Sequence, residues 1–156
     1  MIKKIVNQWF ENKNKLESYF KETPQSEYSS YEDIVKKIIE LVLNQGENSL
    51  DLDISRMTAI DDGDYQGTQI YIIPVNVYQP WPDDYYWTHN HYGSCSGCDQ
   101  LLGISHYGDD DIPNEEQVKD YMYLSLQIIQ KFKSLTSPEL NLETEESLEN
   151  DLKSYY

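Results

Sequence analysis

An aromatic run that ends at a glycine is the feature that most constrains the fold. Residues 85–92 hold four aromatic side chains and two histidines, and Gly93 follows them. Successive side chains of a strand point to opposite faces of its sheet, so the run predicts a β-strand that ends at the glycine. One face of this strand then carries Tyr85, Trp87, His89 and His91, and the other carries Tyr86, Thr88, Asn90 and Tyr92.

Two further segments are rich in residues that favour strands. They cover residues 55–60 and 68–78, and residues 61–67 between them hold two glycines and three aspartates, which predicts a turn. Pro74 cannot donate a hydrogen bond to a neighbouring strand, so it predicts that the middle strand lies at a sheet edge or is bulged. A second turn then completes a three-stranded antiparallel meander, in which the first turn and Gly93 fall at the same end.

Helical periodicity marks three longer segments. Apolar residues recur every three or four positions in residues 1–20, 31–43 and 113–135. Ser29 or Ser30 can cap the second helix, since each is followed three positions later by an acidic residue. The order helix, helix, strands, helix predicts an α+β domain. Its small three-stranded antiparallel sheet is packed by two N-terminal helices and one long C-terminal helix.

The chain length of 156 residues suits one domain. We assign residues 1–138 to this domain, because Pro138 prevents the last helix from continuing. Residues 139–156 are acidic and have four leucines as their main apolar anchors. They predict an acidic C-terminal tail or a short docking helix.

The charge of the chain excludes some classes of partner. A formal net charge of −16 argues against unaided binding to nucleic acid or to an anionic membrane, because both are polyanions. Residues 51–112 carry eleven aspartates and one basic residue, Arg56, a net of −10. The N-terminal residues lack the apolar run of a signal peptide, and no stretch is apolar enough to span a membrane. We therefore expect a cytoplasmic protein.

Aromatic residues are interleaved with these aspartates. Tyrosine and tryptophan are favoured anchors of protein interfaces, and carboxylates can occupy a basic nucleic-acid-binding groove by charge complementarity. The pattern predicts an acidic surface for a partner protein with a basic surface. We expect its residues to be Asp62, Asp64, Tyr65, Trp81, Asp83, Asp84, Asp109, Asp110 and Asp111. The alternative is that the aromatic residues form the sheet core and the aspartates only form turns.

A metal site is a second candidate. Cys95 and Cys98, together with His89 and His91, provide four sulfur and nitrogen ligands within ten residues. Two thiolates and two imidazoles suit tetrahedral Zn²⁺, so zinc is the candidate cofactor. The two histidines share a strand face, and Gly93 lets the chain fold back toward them. The same cysteines can instead be small core residues in a tight turn, with the histidines as exposed polar partners of aromatic rings.

Catalytic interpretations find less support. A Cys-x-x-Cys pair at a helix start is typical of redox thiols, but nearby aspartates raise the pKa of a thiol. A phosphate site in residues 93–97 would lack a cation, since no lysine or arginine lies between Arg56 and Lys119. No pattern marks an oxyanion hole. The sequence favours a binding protein over an enzyme.

Two phrases together resemble a group of small phage-encoded proteins of unassigned activity. They are Gly63-Asp64-Tyr65-Gln66-Gly67 and Tyr92-Gly93-Ser94-Cys95-Ser96-Gly97-Cys98-Asp99. The resemblance covers about residues 60–104 and implies a phage or prophage setting, but it assigns no functional residue. In that group the residues before the second phrase are usually not histidines. His89 and His91 depart from the pattern, which counts against their being ligands shared by the group.

The leading hypothesis is a phage-type acidic protein in the host cell cytoplasm. It would inhibit or modulate a host protein with a basic nucleic-acid-binding surface, such as a defence nuclease, in the way a DNA mimic does. The alternative is a small zinc-binding accessory domain that uses Cys95 and Cys98. The sequence indicates neither the identity of the partner nor the oligomeric state.

Overall fold

A computed structural model describes residues 2–95, 97–105 and 111–136 of the chain. These residues form an α+β fold with a four-stranded antiparallel sheet, which confirms the predicted class, and the predicted tail at 139–156 lies outside them. No helix in this part of the chain has the length and apolarity that a membrane span needs. The helices are α1 (Ile2–Glu22), α2 (Tyr31–Ile38), α3 (Gln100–Ser105) and α4 (Glu115–Gln130), and the strands are β1 (Thr58–Asp61), β2 (Gly67–Pro74), β3 (Tyr85–Tyr92) and β4 (Lys133–Ser134).

The strands follow one another across the sheet in the order β1-β2-β3-β4, as a meander. The expectation of three strands is corrected by β4, in which Ser134 pairs with Tyr86 and Lys133 pairs with Trp87. A two-residue strand has no periodicity that a sequence could reveal. α4 ends at Gln130 and not near residue 135 as predicted, because the chain turns there to enter β4.

The middle strand also differs from its prediction. β2 lies between β1 and β3, and each of its residues pairs with one residue of β3, so the expectation that Pro74 marks an edge or bulged strand is wrong. The proline is instead the last residue of the strand, opposite Tyr85, and the predicted extension to Tyr78 is absent. The lost donor is tolerated because the ladder stops there, where Val75 N donates to Asp84 O at 2.7 Å.

Side-chain caps determine where several elements begin. The Ser30 hydroxyl accepts a hydrogen bond from Asp33 N at 3.1 Å, which selects Ser30 over Ser29 as the start of α2. Asp53 accepts from Ser55 N at 3.0 Å and starts a short 3₁₀ helix at Ile54–Arg56. Because this helix occupies residues that sequence assigned to the first strand, β1 begins only at Thr58.

The two faces of the sheet have different surroundings. The inner face carries the buried residues Tyr71, Ile73, Thr88 and Asn90, and α4 packs on it, with the Thr88 hydroxyl donating to Ile128 O at 3.0 Å. This confirms the predicted division of β3 into two faces. The opposite face, named here the outer face, carries Ile60, Ile70, Ile72, Trp87, His89 and His91.

Buried polar residues on α1 hold the end of the second helix. After Ile38 this helix continues as a π-helical turn over Ile39–Leu43, and its last carbonyls need donors. The Gln8 amide supplies one, since it donates to Leu43 O at 3.1 Å and to Gln45 O at 2.7 Å. Asn12 donates to Gln8 O at 3.1 Å and extends the network. These bonds fix α1 on the helical layer.

Candidate functional site

The segment Tyr92–Asp99, named here the corner, joins β3 to α3 and closes tightly at Gly93. A side chain at Gly93 would meet the Cys98 carbonyl carbon at 2.7 Å and its Sγ at 2.9 Å, closer than a Cβ can approach. Cys98 N donates to Cys95 O at 3.1 Å, which turns the chain back. Both cysteines are exposed, so the alternative that they are small core residues is wrong.

Asp99 holds the corner to the rest of the domain. Its side chain is only 7% exposed. One carboxylate oxygen accepts from Gly93 N at 3.0 Å, and the other accepts from the Tyr31 hydroxyl at 2.7 Å and from Leu102 N at 3.2 Å. Burial, together with the hydrogen bond to Asp99, raises the pKa of Tyr31. Asp99 therefore links the end of β3 to α2 and α3.

Residues 62–66, named here the first turn, join β1 to β2 beside the corner. The sheet pairs Gly67 with Tyr92, which confirms the prediction that turn and corner share one end of the sheet. The Tyr92 hydroxyl donates to Asp61 at 2.6 Å, and Gly63 N donates to the same carboxylate at 3.0 Å. These bonds, the first above all, lower the pKa of Asp61, and the Tyr92 bond raises the pKa of that phenol to about 12.

Only part of the first turn is available for contacts with a partner. Asp62 accepts from Thr68 N at 2.6 Å and so closes the turn itself. Asp64 and Tyr65 are exposed, Tyr65 to 83%. Asp99 of the neighbouring corner adds no exposed carboxylate here, because it is buried and accepts three hydrogen bonds within the fold. The exposed acidic group at this end is therefore centred on Asp64.

The connection of residues 75–84, named here the second connection, lies at the other end of β2. Asp84 accepts from Trp81 N at 2.9 Å and starts a 3₁₀ turn. Asp83 accepts from the Thr136 hydroxyl at 2.7 Å and is exposed. The Trp81 ring is 74% exposed beside these two carboxylates. This connection therefore presents a second acidic and aromatic group.

The structure divides the predicted partner surface between two places. The first turn and the second connection flank the eight residues of β2, so they lie roughly 23 Å apart at about 3.3 Å per strand residue. Asp109 and Asp110 lie outside the described residues. Asp111 is exposed, and its backbone carbonyl accepts from Gln25 N at 3.2 Å. The carboxylates thus form separate groups on one molecule.

The two predicted histidine ligands belong to the outer face. The His91 Nδ1 lies 2.8 Å from the Thr68 hydroxyl, and the His89 ring stacks on Trp87 with centroids 5.6 Å apart. Burial lowers the pKa of His89, and nearby Lys131 lowers it further. His89 is therefore part of an aromatic stack in which its charged form is disfavoured.

The four predicted zinc ligands are not brought together. Among residues 2–95, 97–105 and 111–136, no three histidine, cysteine or acidic side chains are grouped so that they could hold a metal ion. Cys95 and Cys98 stand as a pair, with Cα atoms 5.3 Å apart and sulfur atoms at disulfide-bonding distance. His89 and His91 make their contacts with Trp87 and Thr68 instead.

Two residues that contribute to the second connection and to the corner were not predicted from the sequence. Tyr78 is 94% exposed on the second connection, but the sequence placed it in a strand. The stop at Pro74 was the available signal, since a proline often ends ladder pairing. Tyr31 was read only as part of a helix stripe, and no local pattern shows that its hydroxyl reaches Asp99 across 68 residues.

Comparison with known proteins gives no relative from which a function could be transferred. No protein-family model matches the chain, and no curated protein or solved structure matches it either. The function is therefore inferred from the sequence and the geometry of this chain.

Proposed function

We propose that this protein acts by binding, and that its two acidic and aromatic groups engage a partner protein with a basic nucleic-acid-binding surface. One observation carries the proposal. Tyr65, Tyr78 and Trp81 extend into solvent at 83%, 94% and 74% exposure. Asp64 precedes Tyr65 in the chain, and Asp83 and Asp84 follow Trp81. Large aromatic side chains left this exposed are typical of interaction sites, because they gain most from burial by a partner.

Electrostatics supports a basic partner. The net charge is −16, and eleven aspartates lie in residues 51–112. Such a field accelerates encounter with a positively charged surface and repels nucleic acid itself. Because the two groups stand roughly 23 Å apart along β2, the matching surface must be extended. A nucleic-acid-binding groove is both extended and basic, and blocking it would inhibit the partner.

The resemblance of the two glycine-rich phrases suggests the biological setting. In this proposal the protein acts in the cytoplasm of a host cell, and its partner is a host protein, such as a defence nuclease. Gly63 and Gly67 serve the first turn, where a side chain at Gly67 would come within 2.7 Å of Asp62 Oδ1. In this proposal the phrases preserve the backbone that displays Asp64 and Tyr65.

Capture from a host lysate at low salt tests the proposal. The wild-type chain is expected to retain a basic protein, and combined Asp64→Asn and Tyr65→Ser substitutions are expected to lower recovery about tenfold. A matched control combines Glu47→Gln with Phe10→Ser, which removes one carboxylate and one exposed ring elsewhere. The control should bind like wild type. Absence of any basic partner, or equal losses in both variants, would contradict the proposal.

A further inference from the structure

The outer face of the sheet is an apolar surface that the described helices leave partly exposed. Ile60 is 47% exposed there, and Ile70, Ile72 and Trp87 are only half-buried. The inner face of the same strands is buried, as Tyr71 shows. An exposed sheet face with several large apolar side chains is typical of a surface that receives another segment.

The charge of this face is unlike that of the rest of the chain. The chain has 28 acidic residues, yet none of the outward positions of the four described strands is aspartate or glutamate. Lys133 stands over the Trp87 ring, with its Nζ 5.7 Å from the centroid, and His89 and His91 lie in the same row. A complementary occupant carries apolar side chains and negative charge.

Residues 137–156 carry both apolar and acidic side chains, and the chain connects them directly to the edge of the sheet. They contain six acidic residues against Lys153, together with Leu140, Leu142, Leu148 and Leu152. The described chain reaches them from β4 at the sheet edge, where Leu135 N donates to Tyr85 O at 2.9 Å. Twenty residues span about 30 Å even at the short rise of a helix, whereas four strands are only about 14 Å across.

We propose that residues 137–156, which lie outside the described residues, bind the outer face of the sheet in the same molecule. Their leucines would contact Ile60, Ile70 and Ile72, and their carboxylates would face Lys133. Tethering favours this occupant, because the connection gives it a high effective concentration at the face. The proposal concerns a surface separate from the first turn and the second connection, and it stands independently of the proposed function.

Isoleucine methyl NMR of the full chain tests this proposal. The test variant combines Leu142→Ser, Leu148→Ser and Leu152→Ser. We expect it to shift the δ1 methyl signals of Ile60, Ile70 and Ile72, and to leave those of the buried Ile38 and Ile73 unchanged. Phe10→Ser, at an exposed residue of α1, is the control and should leave the outer-face methyl signals in place.

Concentration separates the possible occupants. An intramolecular contact predicts the same wild-type methyl shifts after about tenfold dilution. Shifts that disappear on dilution would show a second copy on the face and would overturn the proposal. Unchanged signals in the triple variant would overturn it as well. A further variant has Glu145, Glu146 and Glu149 changed to glutamine, and we expect it to move the same methyl signals less than the triple leucine variant does. In high salt, which screens the charges, the signals of this variant and of wild type should coincide.

Discussion

The corner and the first turn lie at the same end of the sheet, yet Asp99 in the corner and Asp64 in the first turn have opposite roles. In the corner, Asp99 is buried and its two oxygens accept hydrogen bonds from Gly93, Tyr31 and Leu102. In the first turn, Asp64 is exposed to solvent. A carboxylate that satisfies backbone donors maintains the fold, and an exposed one is available to a partner.

Because of this contrast, the number of aspartates overstates the charge that is available to a partner. The eleven aspartates of residues 51–112 are identical in sequence terms, but Asp61, Asp62 and Asp99 have structural partners. The effective binding charge is therefore smaller than the formal charge. It is concentrated where an exposed aromatic ring stands beside an exposed carboxylate, as at Tyr65.

The largest expected effect on stability comes from removing the Asp99 carboxylate. Replacing Asp99 with alanine should lower the free energy of unfolding by about 3 kcal/mol, because buried donors lose a charged acceptor. Asp64→Ala should change it by less than about 0.5 kcal/mol, as is usual for exposed positions. Urea denaturation of both variants measures the difference. Similar losses of stability in the two variants would contradict the different roles assigned to Asp99 and Asp64.

A smaller effect is expected within the corner itself. Gly93→Ala should destabilise the domain by about 2 kcal/mol, because its Cβ would overlap the Cys98 backbone. Gly97→Ala has nothing within 4 Å of the added carbon and should stay within about 0.5 kcal/mol of wild type. Thermal unfolding of the pair locates the close approach. Equal stability of the two variants would show that the corner is not closed at Gly93.

The smallest effect concerns the bond that joins the corner to β1. Tyr92→Phe removes the main cause of the lowered Asp61 pKa, so that pKa should rise toward its ordinary value. A lowered folded-state pKa contributes stability above the unfolded pKa, and this stability is lost as pH falls through the folded pKa. The variant should therefore lack most of this stability above the unfolded pKa, and its stability should fall less than that of wild type as pH drops through this range.

An NMR titration that follows the side-chain carboxyl carbon of Asp61 measures this change in pKa directly. Tyr65→Phe is the control, since Tyr65 has no bond to Asp61 among the described contacts. An Asp61 pKa that is the same in Tyr92→Phe and wild type would show that the Tyr92 hydroxyl does not hold this carboxylate.

Periodicity predicted the elements whose side chains alternate or recur over many residues. The two faces of β3 follow from a period of two. The pairing of Gly67 with Tyr92 confirms that the first turn and Gly93 lie at the same end of the sheet. The Ser30 cap follows from a short local pattern. The first turn and the corner were placed together for the same reason, because a meander fixes which ends meet.

Long-range hydrogen bonds decided what the sequence did not reveal. Gln8 and Asn12 are polar helix residues that look like surface, but they lie buried and Gln8 satisfies the carbonyls that end the second helix. Asp99 looks like one more acidic loop residue, but Gly93, Leu102 and the distant Tyr31 all donate hydrogen bonds to it. The four predicted zinc ligands were adjacent in sequence, but His89 stacks on Trp87 instead.

Competition with nucleic acid tests the central claim most directly. The protein is loaded with the basic host protein that it captures at low salt, and double-stranded DNA is then added in increasing amounts. We predict that DNA displaces the captured protein and that Asp64→Asn with Tyr65→Ser lowers the amount of DNA required, because both ligands use the same basic surface. A complex that persists in excess DNA would contradict the claim.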